Sequence, residues 1–277
     1  MDELIITVGI TGSRISRSQT PAIPITPEEI ARSGIEAWRA GASVLHVHVR
    51  DPHTQIGTQD VELFRQVVDR LRAETDAVLC LTTSGVPGCD YAAEERLAPL
   101  ALRPEMASFD AGTINTPAGV FFNEPDFLEA LAAEARRQGV KLELECFEAG
   151  MVSTCLRYLD DGVLDRPPHF QFVLGTPYGM PADVKSLLHL SEMLPADATW
   201  SAIGIGRAQL PMATHAILMG GHARVGLEDN IYYRRGELAT GNAQLVERVV
   251  RLADELGRPV ASPAVARRIL SLAPTAS

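Results

Sequence analysis

The stretch TPEEIARSGIEAWRAGASVLHVHVRDP, residues 26–52, contains one complete helix signal followed by one complete strand signal. Thr26 and Glu29 fit a capping box with a proline at the first helical position, and a glycine can end the helix, which predicts a helix over residues 27–40. Residues 43–49, SVLHVHV, are a short apolar and β-branched run that is typical of a buried strand. The stretch therefore predicts a helix-then-strand unit of an α/β protein.

The same alternation recurs along the chain. Helical stretches separate eight strand candidates, at residues 4–10, 43–49, 77–83, 106–112, 142–147, 170–175, 199–205 and 222–228. Another helix is predicted over 242–256, where apolar residues recur at helical spacing before a glycine and a proline. Eight such units predict a single-domain (β/α)8 TIM barrel over residues 1–277, with a C-terminal extension at about 260–277 that holds one more short helix. An open doubly wound sheet is the alternative.

The composition, with 46% hydrophobic and 22% charged residues and a net charge of -10, is that of an ordinary globular protein. Lys and Arg are not clustered, so no nucleic-acid partner is expected. No apolar run approaches the roughly 18 residues of a membrane span, and no basic region precedes the first apolar stretch, which predicts a cytoplasmic protein. The cysteines form no CxxC pair and are expected to be reduced and structural: Cys80, Cys89, Cys146 and Cys155.

Two histidines stand two residues apart at the end of the second strand. His46 and His48 share one face of that strand, about 6.6 Å apart, so both imidazoles can bind one metal ion. In a closed barrel the eighth strand adjoins the first, which adjoins the second, so Glu228 or Asp229 can supply a carboxylate as the third ligand. Such a site keeps open positions for substrate. A hydrogen-bonded pair of histidines at a strand end is the alternative.

Further charged groups stand on the fifth and eighth strands. Arg224 is placed to hold Asp229 ionised and oriented; this pairing lowers the basicity of Asp229, so a role as proton acceptor requires a dry site or an acidified carbon. A salt bridge that ties down a loop is the alternative. Glu143 and Glu145 share one face of the fifth strand, but the sequence leaves open whether that face points into the barrel.

The segment GIGR, residues 204–207, follows the seventh strand. Backbone amides in this position often hold phosphate in such barrels, and Arg207 beside Gly206 can add charge for that purpose. A tight turn with a surface arginine is the alternative.

Several separated segments, in matching order, resemble the β-keto acid cleavage enzymes, whose known member type is the 3-keto-5-aminohexanoate cleavage enzyme. They are ITVGITGS, TPEEIARSGIEAWRAGASVLHVHVRDP, PEMASFDAGTIN, FVLGTPYGMP, WSAIGIGR, GGHARVGLEDN and NAQLVERVVRLADELGRPVASPAVARRIL. The similarity runs from about residue 3 to 272. It implies a zinc-dependent barrel, usually oligomeric with a homotetramer favoured. The implied acyltransferase condenses a 3-oxo acid with acetyl-CoA, moves CoA and cleaves the adduct to acetoacetate and a new acyl-CoA.

The resemblance also implies residue roles. The positions that match metal ligands are His46, His48 and Glu228. Arg224 and Asp229 match the catalytic pair, in which Asp229 is expected to take a proton from acetyl-CoA and Arg224 to orient it. The positions that match substrate contacts are Thr82, Gly85 and Ser108.

One departure bears on the substrate. Family members that handle an amino-bearing substrate carry an acidic residue in a segment of the form ITGAE, whereas this chain reads ITGSR, with Arg14 at that place. An arginine repels an ammonium group and suits a second carboxylate, which predicts a 3-oxo dicarboxylate such as 3-oxoadipate or 3-oxoglutarate. An Arg14 side chain that turns to solvent or to an acidic neighbour is the alternative.

Two other functions compete with this one. A metal-dependent hydrolase of the amidohydrolase type also carries HxH at a barrel strand end, but normally after the first strand, with further histidines on strands five and six. Here the HxH motif is on the second strand, and the fifth carries glutamates. A barrel that binds a metal or a partner without turnover is the non-enzymatic alternative.

Overall fold

The computed structural model describes residues 3–86 and 91–272, which form a closed parallel barrel. Its eight strands are β1 (Ile6–Gly9), β2 (Val44–Val47), β3 (Val78–Leu81), β4 (Met106–Asp110), β5 (Lys141–Cys146), β6 (His169–Leu174), β7 (Thr199–Gly204) and β8 (His222–Val225). They pair in chain order, and β8 pairs with β1 to close the barrel. The predicted single-domain (β/α)8 barrel is confirmed, and closure excludes the open doubly wound sheet.

Helices follow the strands around the outside of the barrel. They are α1 (Pro27–Arg39), α2 (Val61–Glu74), α3 (Ala93–Leu97), α4 (Pro125–Gln138), α5 (Ala149–Asp160), α6 (Val184–Glu192), α7 (Gln209–Leu218), α8 (Asn242–Glu255) and α9 (Pro263–Ile269). The predicted capping box begins α1: the Thr26 hydroxyl accepts from the Glu29 N–H at 3.3 Å, and the Glu29 carboxylate accepts from the Thr26 N–H at 3.0 Å. The local sequence therefore sets where α1 starts.

Short elements lie in the loops between strands and helices. The 3-10 helices are Ala98–Leu102 and Gly206–Ala208. The antiparallel pairs are Val49–Arg50 with Gly57–Thr58, Ile114–Thr116 with Gly119–Phe121, and Tyr232–Arg234 with Glu237–Leu238. The pair formed by residues 114–121 follows β4 and lies over the carboxyl end of the barrel.

The barrel interior is polar toward the carboxyl ends of its strands. Arg224 on β8 donates to Glu145 on β5 at 3.2 Å, although these strands are not neighbours, so the contact passes through the interior. Gln171 on β6 donates to Glu143 at 2.6 Å. Both glutamates therefore face inward, and their burial requires the partners that these contacts supply.

The amino-terminal end of the barrel is closed by α9. Apolar side chains of α9 and of the strand starts form one buried cluster, which includes Ile5, Val44, Val78, Met106, Ala266 and Leu270. Polar contacts add to it: Arg267 donates to the Glu105 carboxylate at 2.6 and 2.9 Å, and Lys141 Nζ donates to the Leu270 carbonyl at 2.6 Å. The predicted extension thus contains its short helix, while residues 273–277 lie outside the described residues.

The cysteines that the structure describes, Cys80, Cys146 and Cys155, are free and buried, as expected for structural residues. Cys89 lies outside the described residues. Within the described ranges, every helix is too short or too polar to cross a bilayer.

Candidate active site

Two histidines at the carboxyl end of β2, His46 within the strand and His48 directly after it, meet a carboxylate from the loop after β8. The ring centroids of His46 and His48 lie 5.1 Å apart. Glu228 Oε1 is 3.7 Å from His46 Nε2 and 3.4 Å from His48 Nε2. One ligand atom from each residue lies within 4.8 Å of the other two. The structure therefore brings together the three residues that the sequence predicts as metal ligands.

A glycine lets the loop after β8 reach this position. Gly226 has a φ of 141°, in the region that favours glycine, and a Cβ there would overlap the backbone of Gly9 at the end of β1. The chain then returns over β1, where the Glu228 N–H donates to the Gly9 carbonyl at 3.2 Å. This close approach places the Glu228 carboxylate beside β2.

The protonation states of these groups fit a divalent metal ion. Burial holds the pKa of His46 well below its usual range, so the imidazole is neutral. Burial opposes ionisation of Glu228, but the Arg224 guanidinium beside it holds its pKa well below the usual range. Among the described residues, nothing donates a hydrogen bond to the buried Glu228 Oε2. Two imidazole nitrogens and one carboxylate form a ligand set that suits zinc, and also iron, cobalt or manganese.

Arg224 joins this cluster to two further carboxylates. Its Nε and Nη2 donate to Asp229 at 3.2 and 3.3 Å, and its Nη1 donates to Glu145 at 3.2 Å. Nη2 also contacts Glu228. The arginine is only 2% exposed. Because the guanidinium is planar and its donors are fixed, one side chain sets the orientation of all three carboxylates.

Burial gives Asp229 a basicity above that of an ordinary aspartate. It raises the pKa of Asp229 to about 6, although Arg224 acts in the opposite direction. Burial also raises the pKa of Glu145 well above its usual range. At neutral pH Asp229 is therefore mainly ionised and better suited to accept a proton. A carboxylate paired with arginine can accept a proton in a dry site, and the burial of Asp229 meets this condition.

A cavity of about 230 Å³ adjoins the metal cluster at the carboxyl end of the barrel. Its apolar walls come from loops after β4, β5 and β6 and include Ile114, Pro117, Phe121, Phe147 and Pro177. Its polar lining includes Ser13, Ser84, Asp110, Asn115, Thr116, Glu145 and Thr176, together with His46, His48 and Glu228. The cavity can therefore hold a small polar head near the cluster and a less polar chain against the loops.

The predicted substrate residues near β3 and β4 occupy different positions. Gly85 lines the cavity. The Thr82 hydroxyl accepts from the Ser84 N–H at 3.0 Å, and Ser108 Oγ accepts from the Thr83 N–H at 3.1 Å. Both hydroxyls are buried and shape the loop that carries Gly85.

The other three predicted binding positions, Arg14, Gly206 and Arg207, lie in the loops after β1 and β7. Ser13 lines the cavity. The adjacent Arg14 is exposed and is not among the described residues that line the cavity. Arg207 is exposed in the loop after β7, and the neighbouring Gly206 N–H donates to the Asp229 carbonyl at 2.8 Å. Gly206 therefore links this loop to the one that carries Asp229.

Sequence reasoning missed two residues of this region. Asp110 lies two residues after Ser108, on the same face of β4, and accepts from Ser84 Oγ at 2.6 Å; the two-residue alternation of a strand predicts this position. Arg96 is buried and donates to Asn123 Oδ1 at 2.6 Å and to the Thr83 carbonyl at 2.9 Å. No local sequence pattern distinguishes Arg96 from an ordinary helix arginine.

A (β/α)8 barrel with polar and charged groups gathered at the carboxyl ends of its strands defines a TIM-barrel enzyme. The family model of the beta-keto acid cleavage enzymes matches residues 3–272, and the chain belongs to that family. It is therefore an acyl-transfer enzyme that cleaves a carbon–carbon bond, as the resemblance implied.

Individual relatives agree with this assignment. The chain is 44% identical, over 98% of its length and 99% of the relative, to a 3-keto-5-aminohexanoate cleavage enzyme of Fusobacterium nucleatum subsp. nucleatum. It is 39% identical, over 97% of its length and 94% of the relative, to a 3-oxoadipate:acetyl-CoA acetyltransferase of Cupriavidus necator. The apo structure of ObcA superposes with a TM-score of 0.82 at 23% identity, over 92% of this chain and 66% of that chain, which shows the shared fold.

The amidohydrolase alternative is not favoured. The HxH pair lies on β2, and the inward side chains of β5 include Glu143 and Glu145 in place of a histidine ligand. Family membership supports the cleavage enzyme instead.

Proposed function

We propose that this enzyme converts a 3-oxo acid and acetyl-CoA into acetoacetate and a new acyl-CoA, with zinc held by His46, His48 and Glu228. The observation that carries the proposal is the direct contact of Arg224 with both Asp229 and Glu228, which puts a buried base beside the proposed metal ligands. Zinc, when bound, supplies a Lewis acid that polarises a carbonyl oxygen. The Cupriavidus necator relative is named an acetyl-CoA acetyltransferase, which supports acetyl-CoA as the co-substrate.

The atom balance decides which carbon loses a proton. Acetoacetate contains the carboxylate and C2 of the 3-oxo acid joined to an acetyl group, while the remaining acyl group leaves on sulfur. A bond must therefore form between C2 of the 3-oxo acid and the carbonyl carbon of acetyl-CoA. We therefore propose that Asp229 removes a proton from C2, which the neighbouring ketone acidifies, and not from acetyl-CoA as the family resemblance implied.

The chain's own residues can carry this proton through the whole reaction. Asp229 accepts the C2 proton, C2 bonds to the acetyl carbon, and the carbon–sulfur bond breaks to release CoA thiolate. The thiolate then adds to C3, the bond between C2 and C3 breaks, and C2 takes the proton back from Asp229. Arg224 holds the carboxylate in place in both halves, so neither half requires an external acid or base.

An isotope experiment tests the reaction and the atom assignment together. Metal-loaded protein is incubated with a panel of 3-oxo acids and with acetyl-CoA labelled with carbon-13 at its carbonyl. We expect acetoacetate only when acetyl-CoA is present, with the label in its ketone carbon. Label in the new acyl-CoA would contradict the atom assignment, hydrolysis without acetyl-CoA would support the hydrolase, and absence of product with every acid would contradict an acyl-transfer function.

We further propose a 3-oxo dicarboxylate, such as 3-oxoadipate or 3-oxoglutarate, as the substrate. Arg14 directly follows the cavity-lining Ser13, and its guanidinium suits a distal carboxylate. The Cupriavidus necator relative is named for 3-oxoadipate, which agrees with this class.

Substitution of Arg14 tests this choice. We expect Arg14→Ala to raise KM for 3-oxoadipate about 10-fold or more, because a charged hydrogen bond is lost, and to leave KM for an uncharged 3-oxo acid of equal length unchanged. Arg17→Ala, at another exposed arginine of the same loop, is the matched control. Unchanged dicarboxylate kinetics in Arg14→Ala would disprove the role.

We also propose a binding position for CoA and an oligomeric state. Arg207 is exposed beside the loop that carries Asp229, and its charge and Gly206 suit a phosphate group of CoA. We also propose a homo-oligomer, with a tetramer favoured, that works in the cytoplasm. The oligomeric state follows from the family resemblance, and the location follows from the sequence.

A further inference from the structure

A chain of hydrogen bonds links buried side chains of three neighbouring barrel strands, β5, β6 and β7. Ser201 Oγ on β7 donates to Gln171 Oε1 on β6. Gln171 Nε2 then donates to Glu143 Oε2 on β5 at 2.6 Å. All three side chains are at most 1% exposed. Because Ser201 donates to the amide oxygen, the amide nitrogen of Gln171 must face Glu143, and the glutamate is fixed as the acceptor.

This chain ends at two buried atoms that have no partner. Within the described ranges, neither Glu143 Oε1 nor His46 Nδ1 forms a hydrogen bond. One ligand atom each of His46, Cys80 and Glu143 lies within 4.8 Å of the other two. The His46 ring and the Glu143 carboxylate therefore lie close together, each with one unmatched buried atom, and burial of an unmatched polar atom costs free energy.

We propose that Glu143 accepts a hydrogen bond from His46 Nδ1 when the metal site is filled, directly or through one buried water, and so positions His46 as a ligand. The inference rests on the proposed metal site. Nε2 of His46 already faces Glu228 at 3.7 Å, so Nδ1 is the ring nitrogen left for a second interaction. A proton fixed on Nδ1 leaves the lone pair of Nε2 for the ion and sets the plane of the ring.

The same three residues have a second interpretation, in which Cys80 helps to hold another metal ion. His46 would then bind one ion through each ring nitrogen, and its imidazole would have to lose its only remaining N–H. A carboxylate beside Nδ1 requires no such loss. The positioning role of Glu143 is therefore favoured, and Cys80 provides a control that separates the two.

Metal affinity, measured by competition with a chromophoric chelator, tests the proposal without reference to catalysis. Glu143→Gln offers one acceptor oxygen to two N–H groups, so one of them loses its partner, and we expect the affinity to fall about 10- to 100-fold. Glu143→Asp keeps both acceptor oxygens and should bind the metal more tightly than Glu143→Gln. Wild-type affinity in Glu143→Gln would overturn the proposal, as would weaker binding by Glu143→Asp than by Glu143→Gln.

Cys80→Ala and metal stoichiometry are the matched controls. We expect one ion per chain in the wild-type protein and in Cys80→Ala, with equal affinity. Two ions per chain, reduced to one by Cys80→Ala, would overturn the proposal in favour of a second metal site. If the proposed metal site does not exist, the wild-type protein and His48→Ala would bind the metal equally weakly. That result is different from a selective loss of affinity in Glu143→Gln.

Nitrogen NMR of histidine-labelled protein gives a readout that a purely structural role does not change. In the loaded wild-type protein we expect His46 to carry its proton on Nδ1, with slow exchange to solvent. In folded Glu143→Gln or Glu143→Asp that exchange should be faster. A proton on Nε2 of wild-type His46, or exchange that both substitutions leave unchanged, would overturn the proposal whether or not the protein turns over substrate.

Discussion

At the scale of single residues, Arg224 contacts Glu145, Glu228 and Asp229 at once. Three buried carboxylates so close together would repel one another without a central positive charge. Arg224 compensates them, yet burial still leaves Asp229 with a pKa raised to about 6. A carboxylate of low pKa, Glu228, therefore lies beside a more basic one, Asp229, as the proposed metal-ligand and base roles require.

Substitution of the base separates these two roles. Asp229→Asn keeps the shape of the side chain and removes the proton acceptor, so we expect turnover to fall by about 10²- to 10⁴-fold. Metal content should stay at the wild-type level, because Glu228 and both histidines are untouched. Steady-state kinetics with elemental analysis measure both quantities, and Asp165→Asn at an exposed aspartate is the control. Full turnover by Asp229→Asn would rule it out as the base.

Residue-scale prediction from sequence succeeded where a spacing rule applies. The two-residue period of a strand placed His46 and His48 on one face, and barrel closure placed Glu228 near them. Whether Glu143 and Glu145 face inward could not be decided, because both faces of β5 are compatible with its residue pattern. The cross-barrel contact to Arg224 decides it, and such a contact depends on the complete fold.

At the scale of elements, α9 closes the amino-terminal end of the barrel and is held there partly by Lys141. The Lys141 ammonium donates to carbonyls of Pro167 and Leu270 at 2.7 and 2.6 Å. Burial nevertheless lowers the pKa of Lys141 to about 8. The charged form of this lysine is therefore less favourable in the folded protein than in the unfolded chain.

This difference predicts a pH dependence of stability. Between about pH 8 and the unfolded pKa of about 10.4, the unfolded chain binds more protons at this position than the folded protein does. The contribution of Lys141 to the free energy of unfolding therefore increases as the pH rises. Below about pH 8 Lys141 is protonated in both states, and this increase in stability is absent. Urea unfolding of wild-type and Lys141→Met protein across this range measures it: the wild type should become more stable relative to the variant. A constant or falling difference would contradict the lowered pKa.

The elements themselves were largely predictable. The eight barrel strands and the helices α1 and α8 follow from apolar periodicity and end signals, which are local properties. The short antiparallel pairs in the loops were missed, because strands of two or three residues are too short for a periodic pattern. The pair at residues 114–121 contributes cavity walls, so the part that shapes the substrate pocket was the least predictable.

At the scale of the whole molecule, the metal cluster joins distant parts of the chain. Its proposed ligands come from β2, from the residue directly after it and from the loop after β8, and the barrel must close for the three to meet. An ion that binds this arrangement therefore binds the folded state in preference to the unfolded chain. Metal binding and global stability are coupled as a result.

Thermal unfolding measures this coupling. At a free zinc concentration of about 100 times Kd, we expect the free energy of unfolding to rise by about 2.7 kcal/mol, with a higher Tm than in the chelated protein. His48→Ala should lose most of that increase because it lacks a ligand. Calorimetry of both proteins with zinc and with chelator is the measurement. Equal zinc-induced shifts in the two proteins would show that the stabilising ion binds elsewhere.

The seal that α9 forms at one end of the barrel has a kinetic consequence. We expect ligands to reach the cavity through the loops at the other end, and a small oxo acid and a bulky thioester to share that entrance. A thioester lying in that entrance would obstruct later arrival of the acid at the deeper position. We therefore expect an ordered sequence in which the acid arrives first and the new thioester departs before acetoacetate, so that excess acetyl-CoA slows turnover by occupying the empty enzyme.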